Sequence, residues 1–128
     1  MMTAPGSIGW FDLTVPDADR LRDFYAAVVG WTPEPVAMGG YSDYGMNTPD
    51  GKTIAGVCHA RGSNQGLPSC WMIYITVADL DAALAAALAR GGKQIGDIRG
   101  PKGAPRFVCV TDPAGASFML YEGPSSGG

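Results

Sequence analysis

At 128 residues with 46% apolar side chains, the chain has enough material for one globular domain and too little for a second of ordinary size. A net charge of −3 with no basic run excludes nucleic acid and an anionic membrane surface as expected partners. No stretch reaches the roughly 18 apolar residues of a membrane-spanning helix, and Met1 to Ser7 lacks the pattern of a secretory signal.

Ile8 to Val15 is rich in β-formers and stops at Pro16-Asp17, which predicts a first strand. Asp17 or Asp19 then caps a helix whose apolar positions, Leu21, Phe24, Tyr25 and Val28, fall at helical spacing, and Gly30 closes it. From Trp31 to Ala60 the period shortens, and Gly39-Gly40 and the Thr48-Pro49-Asp50-Gly51 turn divide the stretch into three strands. Arg61 to Pro68 has loop composition and reads as a linker. Cys70 to Val77 is the next strand. Leu80, Ala83, Leu84, Ala87 and Leu88 then stripe an alanine-rich helix ended by Gly91-Gly92. Lys93 to Ile98, Arg106 to Thr111 and Ala116 to Glu122 complete three more strands. The glycine- and serine-rich tail from Pro124 has nothing to bury and is expected to fray.

The same signals occur twice. Thr14-Val15-x-Asp17-x-Asp19 returns as Thr76-Val77-x-Asp79-x-Asp81, 62 residues on, and the Thr48 to Gly51 turn returns as Thr111 to Gly115. One supersecondary unit has been duplicated. The expected fold is therefore α+β, a single domain of two tandem βαβββ modules, about 8–60 and about 69–123, with 61–68 between them. Each helix covers one face of its own sheet, and the two free faces are expected to curve around a shared cavity with the helices outside.

Alternation along the strands assigns side chains to those faces. Phe11, Leu13 and Val15 belong against the first helix, leaving Trp10, Asp12 and Thr14 for the cavity. Trp71, Ile73, Ile75 and Val77 belong against the second helix, leaving Cys70, Met72, Tyr74 and Thr76. In the last strand Phe118 and Leu120 pack while Ser117, Met119 and Tyr121 look inward. Tyr44 is a further candidate whose facing the pattern leaves open. An aromatic and thioether-rich lining with few polar points suits an apolar or planar organic ligand, although the same side chains would also fill a closed core. Asp12 is the polar exception, either a base or hydrogen-bond anchor, or a carboxylate solvated at the mouth.

Leu13-x-Val15-x-Asp17, Phe24-Tyr25, Gly30-Trp31, Tyr74-x-x-Val77-x-Asp79-x-Asp81-Ala82 and Asp112-Pro113-x-Gly115 occur in an order that resembles the vicinal oxygen chelate superfamily. That superfamily includes glyoxalase I, extradiol dioxygenases and bleomycin-resistance proteins. The resemblance implies metal-ligand positions at Trp10, at Ala55 or Gly56, at Met72 and at Met119, and none of these residues offers a donor suited to Zn, Mn or Fe(II). No metal and no cofactor are therefore expected. His59, the one histidine, reads as an exposed strand-end residue. The Walker-like run from Gly45 to Thr53 has the wrong spacing and is followed by a strand pattern.

The expected function is metal-free binding of a hydrophobic or aromatic small molecule, by sequestration or with Asp12-assisted chemistry. The binding set is Trp10, Thr14, Tyr44, Met72, Tyr74, Ser117, Met119 and Tyr121. A metal-dependent lyase, isomerase or dioxygenase with nonstandard ligands and a non-catalytic interaction protein are the alternatives. The odd count of cysteines, Cys58, Cys70 and Cys109, implies reduced thiols and a cytoplasmic location, and the resemblance implies a homodimer.

Overall fold

The computed structural model describes residues 4–124, so the tail expected to fray lies outside the described residues from 125 on. Residues 10–71 pack as one compact unit, and among the described residues 72–124 pack as another together with 4–9. The first unit holds β1 (Ile8–Val15, from Trp10), α1 (Ala18–Val29), β2 (Thr32–Ala37), β3 (Ser42–Asn47) and β4 (Thr53–His59). Its strand order is β2-β3-β4-β1, with β1 and β4 parallel and the other pairs antiparallel. In the second, β5 (Trp71–Thr76, from Met72), α2 (Leu80–Ala89), β6 (Lys93–Arg99), β7 (Arg106–Thr111) and β8 (Ser117–Glu122) repeat the plan as β6-β7-β8-β5, with β5 and β8 parallel. The duplication is thus carried in topology as well as in motifs.

Identical devices start the two helices. The Asp17 carboxylate accepts from the Arg20 N–H and the Asp79 carboxylate from the Ala82 N–H, both at 3.1 Å, satisfying first-turn donors that have no partner within the helix. Gly30 ends α1 at φ 80°, a left-handed conformation costly for a residue with a Cβ. The two hairpin turns also match: the Gly51 N–H donates to the Thr48 carbonyl at 2.8 Å and the Gly115 N–H to the Asp112 carbonyl at 2.9 Å.

The core between α1 and its sheet is built from Ala18 of the helix and Leu13, Val15, Tyr44, Met46 and Val57 of the strands, with Leu21, Tyr25, Trp31 and Trp71 at the margin. In the second unit Leu80 and Leu84 of α2 pack on Val108, Val110 and Leu120 of the strands. The helical stripes are narrower than the sequence suggests. Phe24, Val28 and Leu88 are exposed, because each helix touches its sheet along one line and residues a quarter-turn away face solvent. Phe11 is likewise exposed instead of packed. Trp71, expected against α2, packs with the first unit: its indole N–H donates to Tyr25 Oη on α1 at 2.9 Å, and its ring meets Trp31 edge-on.

In the second unit the buried Arg106 ties three elements together. Its Nε donates to Glu122 at 3.0 Å and its Nη2 to Asp81 at 2.7 Å, while the other oxygen of Glu122 accepts from the Leu80 N–H at the start of α2. The guanidinium hydrogen bond holds the Asp81 carboxyl below its usual range. No described helix is long and apolar enough to cross a membrane.

Met46 and Leu80 are fully buried, so Met46→Ala and Leu80→Ala should each cost about 2–5 kcal/mol in denaturant titration, whereas Val28→Ala should stay within about 0.5 kcal/mol. Because the folded Asp81 carboxyl is the stronger acid, its stabilising effect is complete above its unfolded pKa and is lost as pH falls through the lower folded value. Asp81→Asn should therefore flatten the acid limb of a stability–pH curve below about pH 4, and an unchanged acid limb would show that the ion pair does not contribute.

Candidate functional site

Pairing with β4 decides which side chains of β1 share a face. Asp12 lies opposite Gly56, Leu13 opposite Val57 and Thr14 opposite Cys58. Leu13 and Val57 pack under α1, so Asp12, Thr14, Gly56 and Cys58 occupy the face turned away from the helix. The same row continues through Gly45 on β3 to Glu34 on β2.

On this face the Trp10 indole N–H donates to Asp12 Oδ1 at 2.7 Å. The carboxylate lies across the backbone of Gly56. A Cβ at that position would run into Asp12 Oδ1 and would stand 3.6 Å from Trp10 Cζ2. Trp10 and Asp12 are half-buried, while Thr14 is buried. Two carboxylates colour the field here: burial, then the charges of Asp12 and Asp43, push the Cys58 thiol up, so its thiolate is disfavoured and it is a poor nucleophile. Asp43 is buried and accepts from the His59 N–H at 2.8 Å.

Tyr44 points the other way. Its hydroxyl donates to Asp19 Oδ1 at 2.5 Å and accepts from Arg22 Nη1 at 2.9 Å, both on α1. The hydrogen bond to Asp19 and then burial push the phenol up, keeping it protonated. Tyr44 is therefore part of the helix contact and does not share the face of Trp10 and Asp12. His59, expected to be exposed, has a side chain only 12% exposed and lies between Asp43 and Asp19, because β4 ends beneath α1 and the Tyr41 ring covers the imidazole.

In the second unit the alternation places Met72, Tyr74, Ser117, Met119 and Tyr121 on the face away from α2. Tyr74 is opposite Met119 and Thr76 opposite Tyr121, while Leu120 packs under the helix. Met72 and Met119 are 1% and 2% exposed, and the Cys109 thiol donates to Met72 Sδ at 3.7 Å. These thioethers are close-packed interior and offer a ligand almost no surface. Tyr74 is also buried, its ring tilted against Phe107, and Ser117 and Tyr121 are the half-buried members of the set.

A hard or borderline metal ion does not fit these residues. Trp10 has committed its N–H, Gly56 has no side chain, and Met72 and Met119 carry only soft thioethers. Among the described residues, no three His, Cys, Asp or Glu side chains converge in a way that could hold one. Clefts elsewhere include an apolar slot of about 240 Å³ between Phe11, Ile54, Trp31 and Trp71, and a polar recess of about 640 Å³ around Arg106, whose carboxylates are already engaged.

Neither Gly56 nor Asp43 stood out in the sequence as part of this face. A glycine inside a strand pattern signals close approach of another group, but the group itself becomes visible only with the β1–β4 register. Since the Asp12 charge helps to hold the Cys58 thiol up, Asp12→Asn in a Cys70→Ser background should speed alkylation of Cys58 near neutral pH by several-fold, read by mass spectrometry. An unchanged rate would place Asp12 away from Cys58.

The model of the glyoxalase-like domain family matches residues 10–121. The CFP32 protein of Mycobacterium tuberculosis, provisionally named as a glyoxylase, is 32% identical over 120 residues, covering 91% of this chain and 46% of that protein. The anthracycline biosynthesis protein DauV of a Streptomyces species is 30% identical over 119 residues, covering 92% of this chain and 42% of that protein. The chain thus spans slightly less than half the length of these curated relatives. Solved structures share the fold: methylmalonyl-CoA epimerase of Streptomyces coelicolor, with TM-score 0.55 and 17% identity, covers 94% of this chain and 99% of its own. The Mn(II)-bound glyoxalase of Novosphingobium aromaticivorans, with TM-score 0.55 and 19% identity, covers 94% and 40%.

Proposed function

We propose that this chain, which belongs to the glyoxalase-like domain family and hence to the vicinal oxygen chelate superfamily, binds a largely apolar, planar organic molecule beside Trp10 and Asp12 without using a metal ion. The observation that carries this reading is the Trp10–Asp12 hydrogen bond laid over Gly56. The indole offers a stacking surface, and the carboxylate offers an acceptor for a ligand N–H or O–H, held in one orientation before the ligand arrives. Where the ligand carries an acidic proton, the same carboxylate is the base that removes it. The kinship with an anthracycline biosynthesis protein supports a ligand of this shape, since anthracyclines are planar polycyclic aromatics. Binding as a homodimer in the cytoplasm, with reduced cysteines, completes the proposal.

Metal-dependent lyase, isomerase or dioxygenase chemistry is the second reading, favoured by the manganese in one structural relative. It would require donors other than Trp10, Gly56, Met72 and Met119. A thermal-shift screen of aromatic metabolites and antibiotics should yield a ligand that raises the melting temperature by mass action. Asp12→Asn should weaken that ligand about tenfold or more, equivalent to about 1.4 kcal/mol. Stoichiometric Mn, Fe, Ni or Zn in untagged protein would overturn the metal-free reading. A ligand indifferent to Asp12→Asn would remove Asp12 from the site.

A further inference from the structure

The geometry points to Gly56 as the residue that positions Asp12. The glycine is a built-in vacancy into which the carboxylate folds so that the Trp10 indole can hold it. This deepens the reading of Asp12 as the ligand anchor and rests on it, but the device itself is a property of the ligand-free protein.

Three observations converge. Gly56 is buried in the middle of β4, where a residue with a side chain would ordinarily be favoured, since glycine weakens a strand. Its backbone does not require glycine, because its φ lies outside the positive range in which side chains are strained. The space where its Cβ would stand is instead taken by Asp12 Oδ1, which in that position receives the Trp10 N–H at 2.7 Å. The glycine is therefore explained by what it admits and not by how the chain bends. Trp10 and Gly56 are positioning residues: one supplies the donor that fixes the carboxylate rotamer, the other the room to lie flat.

The neighbouring glycine on β3 provides a contrast. A Cβ at Gly45 would meet the Thr53 methyl at 3.1 Å and no part of Asp12. Alanine at 45 should therefore disturb the turn-proximal strands and leave the indole–carboxylate bond in place.

The test reads the Trp10 indole N–H directly by proton–nitrogen NMR of ligand-free protein, with Trp10→Phe assigning the signal. Gly56→Ala should move that resonance to nearly the place it takes in Asp12→Ala, with the rest of the spectrum folded, and Gly45→Ala should leave it unmoved. In an Asp12→Ala background, Gly56→Ala should add no further shift and no further loss of melting temperature, because the space is then empty. That double mutant also keeps the test decisive where Gly56→Ala alone unfolds the chain. A Trp10 signal unmoved by Gly56→Ala, or equal Gly56→Ala effects with and without the Asp12 carboxylate, would overturn the assignment. For a ligand found by screening, Gly56→Ala and Trp10→Phe should each weaken binding about as much as Asp12→Asn does. If the indole signal responds but affinity does not, the positioning role fails. If no ligand binds any variant, the functional reading fails while the NMR result stands on its own.

Discussion

The parallel pairing of β1 with β4 is the constraint from which the candidate site follows. It sets Asp12 against Gly56 and Leu13 against Val57, so one face of the sheet is given to α1 and the other to the indole–carboxylate pair. Side chains repeat every two residues along a strand, so a slip of one position would turn Asp12 under the helix and Leu13 out of it. Burying Leu13 and Val57 thus fixes the polar face as firmly as the apolar one. The hydrophobic core and the candidate site are two sides of a single register.

The same plan was used twice with different outcomes. In the second unit the face away from α2 carries Met72, Met119 and Cys109, packed to the point of exclusion from solvent, and its polar investment is the Arg106 network at the start of the helix. In the first unit the corresponding face carries a glycine pair, a carboxylate and a half-buried tryptophan. Where metal-dependent relatives are implied to keep a ligand, this chain places the Trp10 indole, which serves the carboxylate two residues further on. The indole and the carboxylate hold each other by an intramolecular hydrogen bond, and under the proposed function a ligand is met there by stacking and hydrogen bonding.

The parts of this arrangement governed by local rules could be read from the residues alone. Asp17, Asp79 and Gly30 mark the helix ends because capping is settled within one turn, and the facing of Trp10, Asp12 and Thr14 follows from alternation within one strand. Features that needed long-range partners could not be read. Tyr44 is turned under α1 by a strand pairing that shifts register between Met46 and Asn47, His59 is covered by Tyr41, and Trp71 leaves its own helix for Tyr25 and Trp31. Gly56 is the clearest case. It is visible as a glycine in a strand, yet its purpose depends on a side chain separated from it by a helix and two strands. The narrowness of the helix stripes was hidden for a related reason: Phe24 and Val28 have helical spacing, and only the line of contact with the sheet shows that they lie beyond it.

Under the proposed function, a planar ligand is taken on the face built by the β1–β4 register. Mapping backbone and indole NMR shifts during titration with a ligand from the screen tests it most directly. The largest changes should fall on Trp10, Asp12, Gly56 and Gly45. Changes centred instead on Phe11, Trp31 and Trp71, the apolar slot beside Tyr25, would contradict it.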